Sequence, residues 1–185
     1  MQTDSNESLS TPICQRRIPE SNINVRLRMN INLSEIREKT VSVSQYIEGL
    51  SQPFQEKFLA RKQAYQLKID AVRHLKKFAD KYLIVAFSAE WCKDCASNVP
   101  VLALISETTG LEVRVFGKLK KDPLSSTKKW RIPPSPPEVE TFDVDKIPLI
   151  ILFDLEGREI GRIIENPSMP TLEEEICEII KTQQR

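Results

Sequence analysis

Apolar positions divide the chain into a polar start, a helical middle and a second half in which short apolar runs alternate with helices. Residues 1–32 are rich in Ser, Asn, Thr and Gln and show no sustained periodicity, so they predict a polar arm with too little apolar surface to enter a core. Ile36, Val43, Tyr46, Ile47 and Leu50 then recur at helical spacing, predicting one amphipathic helix that starts at Ser34. Ser51-Gln-Pro53 interrupts it, and Pro53 suits the first turn of a second helix. Phe54, Phe58, Tyr65, Ile69, Val72, Phe78 and Tyr82 continue an apolar face, which predicts a single long helix of about seven turns.

From Leu83 the period changes. Leu83 to Phe87 is a short, partly β-branched apolar run of the kind that fits a strand buried on both faces. Val99, Val101, Leu102, Leu104 and Ile105 predict a helix ending near Thr109-Gly110, and Leu111 to Phe116 alternates as a strand. A strand, a helix and a parallel strand in succession form a right-handed crossover, which puts the turn after the first strand at the carboxyl edge of the sheet. Lys118 to Arg131 holds six basic residues and one acid and reads as a solvated face; Ile132 to Pro137 reads as an extended, polyproline-like spacer. Leu149–Phe153 and Arg158–Ile164 flank a turn with Gly157 near its end and predict an antiparallel hairpin. Thr171-Leu-Glu-Glu174 is a capping box for a last helix that buries Leu172, Ile176, Ile179 and Ile180, with Cys177 as a small packed residue beside them.

Composition narrows the classes. With 27 basic against 26 acidic residues there is no general attraction to nucleic acid or to an anionic membrane, and neither is expected as a partner. No apolar run approaches the roughly 18 residues of a membrane span, and the start is too polar for a secretory signal, so a cytoplasmic location is expected. Of four cysteines only two are close in sequence, which argues against a disulfide framework and fits a reducing compartment. Cys14 is isolated in the arm and reads as inert, and His74, the one histidine, as a solvated or hydrogen-bonded helix residue. No second close Cys or His pair completes a zinc set, so no metal and no cofactor is expected.

The chemistry concentrates at Cys92-Lys93-Asp94-Cys95, which follows the buried strand where the next helix begins. A thiolate there is favoured by unpaired N–H groups at the helix start, and the thiolate is the nucleophile. The two-residue spacing lets both sulfurs sit on one turn and close a disulfide. The segment Ala89-Glu-Trp-Cys-Lys-Asp-Cys95 resembles the active site of the thioredoxin family; Pro100 in the following helix and Ile147-Pro148 before a strand resemble two further landmarks of it. The resemblance covers about Tyr82 to the C-terminus.

It implies an α/β, thioredoxin-like fold with a central mixed β-sheet flanked by helices, residues 82–185, preceded by the arm and by an N-terminal helical extension over 33–81 that leads into the first core helix. It implies a thiol-disulfide oxidoreductase. Cys92 would be the attacking thiolate and Cys95 the resolving thiol, Trp91 a wall of the site, Lys93 and Asp94 charged neighbours, and Ile147 a backbone dock for an extended substrate beside a cis Pro148. The partners would be a disulfide-containing protein or small molecule and, as electron donor, a reductase or low-molecular-weight thiol. The alternative is a thioredoxin-fold binding or chaperone-like module without redox turnover.

Three departures from the family pattern stand out. The buried acid that thioredoxins carry six residues before the first cysteine is Ala86 here. The inner dipeptide is Lys93-Asp94 rather than Gly-Pro, so a cation adjoins Cys92, favouring its thiolate, and an anion adjoins Cys95, opposing ionisation there. The connection from Lys118 to Thr141 is longer and richer in proline than usual.

Overall fold

Strand β2 (Tyr82–Phe87) lies at the middle of a five-stranded sheet of order β1-β3-β2-β4-β5, and from Leu83 to Phe87 every one of its side chains is buried. The computed structural model that shows this describes residues 30–184, so the predicted arm up to residue 29, with Cys14, lies outside the described residues. β2 runs parallel to β3 (Glu112–Phe116) and antiparallel to β4 (Leu149–Asp154), which in turn pairs antiparallel with β5 (Glu159–Ile164). The two-residue strand β1 (Val41–Ser42) pairs antiparallel with β3 at the other edge. Leu149 to Phe153 of β4 are buried as completely as β2, and each large apolar side chain so buried contributes about 1.5–3 kcal/mol. This is the mixed sheet flanked by helices that the period change at Leu83 and the resemblance predict.

The helical middle departs from the expectation twice. The first predicted helix is two short ones, α1 (Leu33–Lys39) and α2 (Val43–Glu48), separated by β1. Asn32, not Ser34, opens α1, its side chain accepting from the N–H groups of Ser34 and Glu35. At the other end the Arg114 guanidinium of β3 donates to Arg37 O (2.6 Å) and to the Thr40 hydroxyl (3.0 Å) and carbonyl, satisfying carbonyls that a continuing helix would have bonded itself. Ser42 and Gln45 then form a reciprocal capping box that starts α2. The long helix is likewise two, α3 (Gln52–Ala64), with Pro53 in its first turn, and α4 (Ile69–Lys76). The break at 65–68 is held from outside. Glu173, fully buried, accepts from the Tyr65 hydroxyl and from Lys68 N, both at 2.9 Å. The break rotates the buried face, so α4 buries Ala71 and Leu75 while Ile69 is 71% exposed.

Other parts follow the sequence. The crossover helix α5 (Lys93–Thr109) contains Pro100 and ends on Gly110 at φ 82°, and α7 (Leu172–Thr182) starts at Thr171, whose side chain accepts from Glu174 N. Cys177 is packed against α4, its thiol 3.5 Å from Ala71 O. His74 is half-buried: its Nε2 has no hydrogen-bond partner among the described residues, its ring packs 5.1 Å from that of Phe78, and burial lowers its pKa. The proline-rich spacer is not extended; it turns at a cis Pro133-Pro134 bond, closed by Ser135 N donating to Ile132 O, ahead of the short helix α6 (Glu138–Thr141).

Candidate active site

Cys92 is the N-cap of α5, and its Sγ accepts a hydrogen bond from Cys95 N at 3.1 Å. A sulfur therefore occupies the place where Ser, Thr, Asp or Asn usually satisfies the orphan N–H groups of a helix start. Cys92 is 8% exposed and Cys95 fully buried, and both are free thiols. The hydrogen bond from the Cys95 thiol, followed by the backbone N–H groups of Cys95 and Asp94, holds the Cys92 pKa down to about 7 against burial and the Asp94 charge. Cys95 is driven the other way: burial, then its bond to Cys92, pushes it well above the usual thiol range. One sulfur is ready to ionise near neutrality while the other keeps its proton. Lys93 is exposed and is not among the groups that lower Cys92.

The second wall comes from the loop before β4. The Ile147–Pro148 bond is cis, and the Cys92 thiol lies 3.5 Å from Ile147 O, to which it donates. This loop is tied to the first turn of α5. Glu165 N donates to Pro148 O at 2.8 Å, and the Asn98 amide donates to Glu165 O (2.9 Å), Asp94 O (3.0 Å) and Asn166 Oδ1 (3.0 Å). Asn166 in turn donates to the Asp94 carboxyl at 3.2 Å. Asp94 thus serves as an anchor between α5 and the segment after β5.

Trp91 stands at the surface, 49% exposed, with its ring stacked on Trp130 at 6.0 Å between centroids. Trp130 is fixed by its Nε1 donating to Asp145 O at 2.9 Å, so the long connection after β3 contributes to the site. A groove of about 750 Å³ runs beside Trp91, lined among others by Tyr46, Leu50, Glu90, Leu119 and Pro134.

A family model described as thioredoxin matches residues 40–174, well over half of the chain. The chain belongs to the thioredoxin family. The matched span starts inside the helical middle, where β1 joins the sheet. The comparison with curated proteins finds no match. Among solved structures, this thioredoxin-family protein is similar to a Pseudomonas aeruginosa protein of unknown function at 16% identity, with a TM-score of 0.62 over 83% of this chain and 99% of the other. It is similar also to an HIV epitope-scaffold at 14% identity, with a TM-score of 0.61 over 82% of this chain and 99% of that one. At these identities the likeness is one of fold.

Cys92, Cys95, Trp91, Asp94, Ile147 and Pro148, singled out in the sequence, come together around one turn of this thioredoxin-family domain. Sequence reasoning missed Tyr46, Ser88, Asn98 and Trp130. Tyr46 sits in α2, and its hydroxyl bonds the Ser88 hydroxyl at 3.0 Å, both residues being buried. Glu90, next to Trp91, accepts from Ser51 N (3.3 Å) and the Ser51 hydroxyl (3.1 Å). The helical extension is therefore in direct contact with the turn that leads to the cysteines.

Proposed function

We propose that the protein is a thiol-disulfide oxidoreductase that reduces protein or small-molecule disulfides through Cys92 and Cys95. The observation that supports this most is the opposed state of the two sulfurs: Cys92, capping α5, is lowered to about 7, and the buried Cys95 is raised. The Cys92 thiolate attacks one sulfur of a substrate disulfide, that S–S bond breaks, and the departing thiolate takes up a proton. Cys95 then attacks Cys92 Sγ; the mixed disulfide breaks, the second substrate thiol leaves, and the Cys92–Cys95 disulfide remains. A reductase or a low-molecular-weight thiol supplies two electrons to restore the dithiol. Trp91 flanks the entering substrate, and the backbone of Ile147 beside cis Pro148 offers hydrogen bonds to an extended chain. The cytoplasm, a reducing compartment, is where such a dithiol would act as a reductant. Among the described residues no helix is long and apolar enough to cross a membrane.

The test is reduction of insulin disulfides by the wild type, paired with Cys95→Ser and Cys92→Ser. The expected result is activity in the wild type, reductant-sensitive mixed disulfides that accumulate with Cys95→Ser, and none with Cys92→Ser. A wild type inactive toward protein and small-molecule disulfides alike would replace this reading with that of a binding module.

A further inference from the structure

We infer that the groove beside Trp91 is a substrate subsite, and that it takes an acidic, extended segment of the polypeptide whose disulfide Cys92 attacks. This rests on the oxidoreductase reading and narrows its substrates to disulfides flanked by Asp or Glu.

The groove is assembled from the helical extension and the long connection after β3, which meet at the turn that leads to the cysteines. Its volume of about 750 Å³ is that of a site which encloses a ligand. Val41, 42% exposed, and Trp91, 49% exposed, both line it and leave apolar surface open to solvent. Trp91 directly precedes Cys92, and an extended chain advances about 3.3 Å per residue, so residues a few positions from the attacked sulfur reach the groove.

The connection is held in place. Lys120 N donates to Ser135 Oγ at 2.7 Å and the Ser135 hydroxyl donates to Lys120 O at 3.2 Å. These bonds fix the chain that carries Lys118 and Lys120 to the loop that carries Pro134 and Pro136, and all four of those residues line the groove.

The charge of the lining is one-sided. Lys39 is engaged by Glu138 at 3.0 Å, and Glu90, the one acid of the lining among the described residues, is turned onto Ser51, accepting from its N–H and its hydroxyl. Lys118 and Lys120 are exposed and have no ion-pair partner among the described residues. Farther along the connection Lys129 and Arg131 are paired, with Asp145 and Glu140. Lys118 also stands at φ 61°, a conformation that strains a lysine and not a glycine. Two unpaired ammonium groups beside open apolar surface match an occupant that carries carboxylates and apolar side chains together, and they repel a basic one. A small anion would meet the ammonium groups and leave Val41 and Trp91 wet.

The test uses peptides whose central cysteine is joined to thionitrobenzoate, so that attack by Cys92 on the peptide sulfur releases a coloured thiol. The residues flanking that cysteine are Glu, Gln or Lys in otherwise identical peptides. With reduced wild type at low salt, release should be about fivefold faster from the Glu than from the Gln peptide, the worth of two exposed ion pairs, and slowest from the Lys peptide. Added salt should level the three. Lys118→Glu combined with Lys120→Glu should invert the order. Such an inversion cannot come from the peptides' own reactivity, which is the same for every variant. Lys128→Glu reverses an exposed charge of the same connection outside the groove and should keep the wild-type order. Equal release from the three peptides by the wild type would overturn the subsite, as would an equal loss of preference in Lys128→Glu, the sign of overall charge alone. Cysteine-free Glu and Lys peptides, titrated against tryptophan fluorescence, read binding without turnover. A wild type that binds the Glu peptide alone but releases no thiol from any peptide would overturn the oxidoreductase reading and keep the acidic-segment site; release without preference would do the reverse.

Discussion

Cys92 Sγ accepts from the backbone N–H of Cys95 at 3.1 Å, so the first cysteine caps the helix on whose first turn the second is carried. The two thiols are thereby unequal by construction, the capping sulfur gaining hydrogen bonds as an anion and the inner one losing solvent.

Alkylation of the reduced protein should follow this inequality. Because the Cys92 pKa is lowered to about 7, its thiolate is populated above that pH, whereas a free thiol ionises about 1.5 units higher. The pH profile of iodoacetamide labelling at Cys92 should have its midpoint near 7, with Cys95 unlabelled. Lys93→Glu should move the midpoint by less than about half a unit, since exposed charges are screened and the lowering comes from the Cys95 thiol and the helix N–H groups. A midpoint above 8 in the wild type would remove the support for Cys92 as nucleophile.

Glu173→Ala should destabilise the protein by about 2–4 kcal/mol, because it orphans the Tyr65 hydroxyl and Lys68 N where α3 gives way to α4. Tyr65→Phe should cost only about 1 kcal/mol. Urea denaturation measures both, and equal losses would show that the backbone bond at Lys68 contributes nothing.

Truncation should distinguish the arm from the helices that follow it. Removing residues 1–29 should leave the melting temperature close to that of the full chain, as expected for a polar segment. Removing residues 1–50 strips Leu33, Ile36, Val43, Tyr46 and Ile47 from the core, and at about 1.5–3 kcal/mol each their loss rivals the whole stability of a domain. The shorter fragment should fail to give a cooperative melt.

Two glycines at similar φ should respond differently to alanine. Gly110 at φ 82° has only Ala79 Cβ, 3.8 Å away, near a new methyl group, so Gly110→Ala should cost about 1–2 kcal/mol of left-handed strain. At Gly157, φ 78°, a Cβ would meet Ile31 O at 1.9 Å, and Ile31 N is bonded to Gly157 O at 2.9 Å. Gly157→Ala should therefore lose clearly more, since both the strain and the backbone contact are paid. Comparable denaturation midpoints for the two would contradict this.

The sheet and the cysteine turn were legible because their signals are local: β2 is an unbroken apolar run, and the cysteine pair follows it directly. The hairpin at Gly157 and the helix stop at Gly110 were legible for the same reason. What was hidden lies in contacts between distant residues. Apolar spacing runs through Tyr65 and Ile69 without a flaw, and only a carboxyl group far along the chain, Glu173, ends α3 there. Arg114 likewise ends α1 from a strand that the local pattern of α1 cannot see. Tyr46 looked like one more core position on an amphipathic face, because its hydroxyl partner, Ser88, is separated from it by 42 residues. Asn98 and Trp130 were missed because neither carries chemistry by itself; each acts by holding a neighbour.

The shortest strand in the sheet has a consequence for life among other copies of the chain. β3 would be an open edge without β1, presenting unpaired N–H and C=O groups to any passing strand. Val41 and Ser42 occupy its last part, and α1 shields its start through the Arg37–Glu112 ion pair at 2.8 Å. Two paired residues offer little new edge for a further strand to extend. The segment that carries Tyr46 to Ser88 thus also blocks lateral growth of the sheet, and a chain clipped behind it would tend toward self-association before it lost its dithiol.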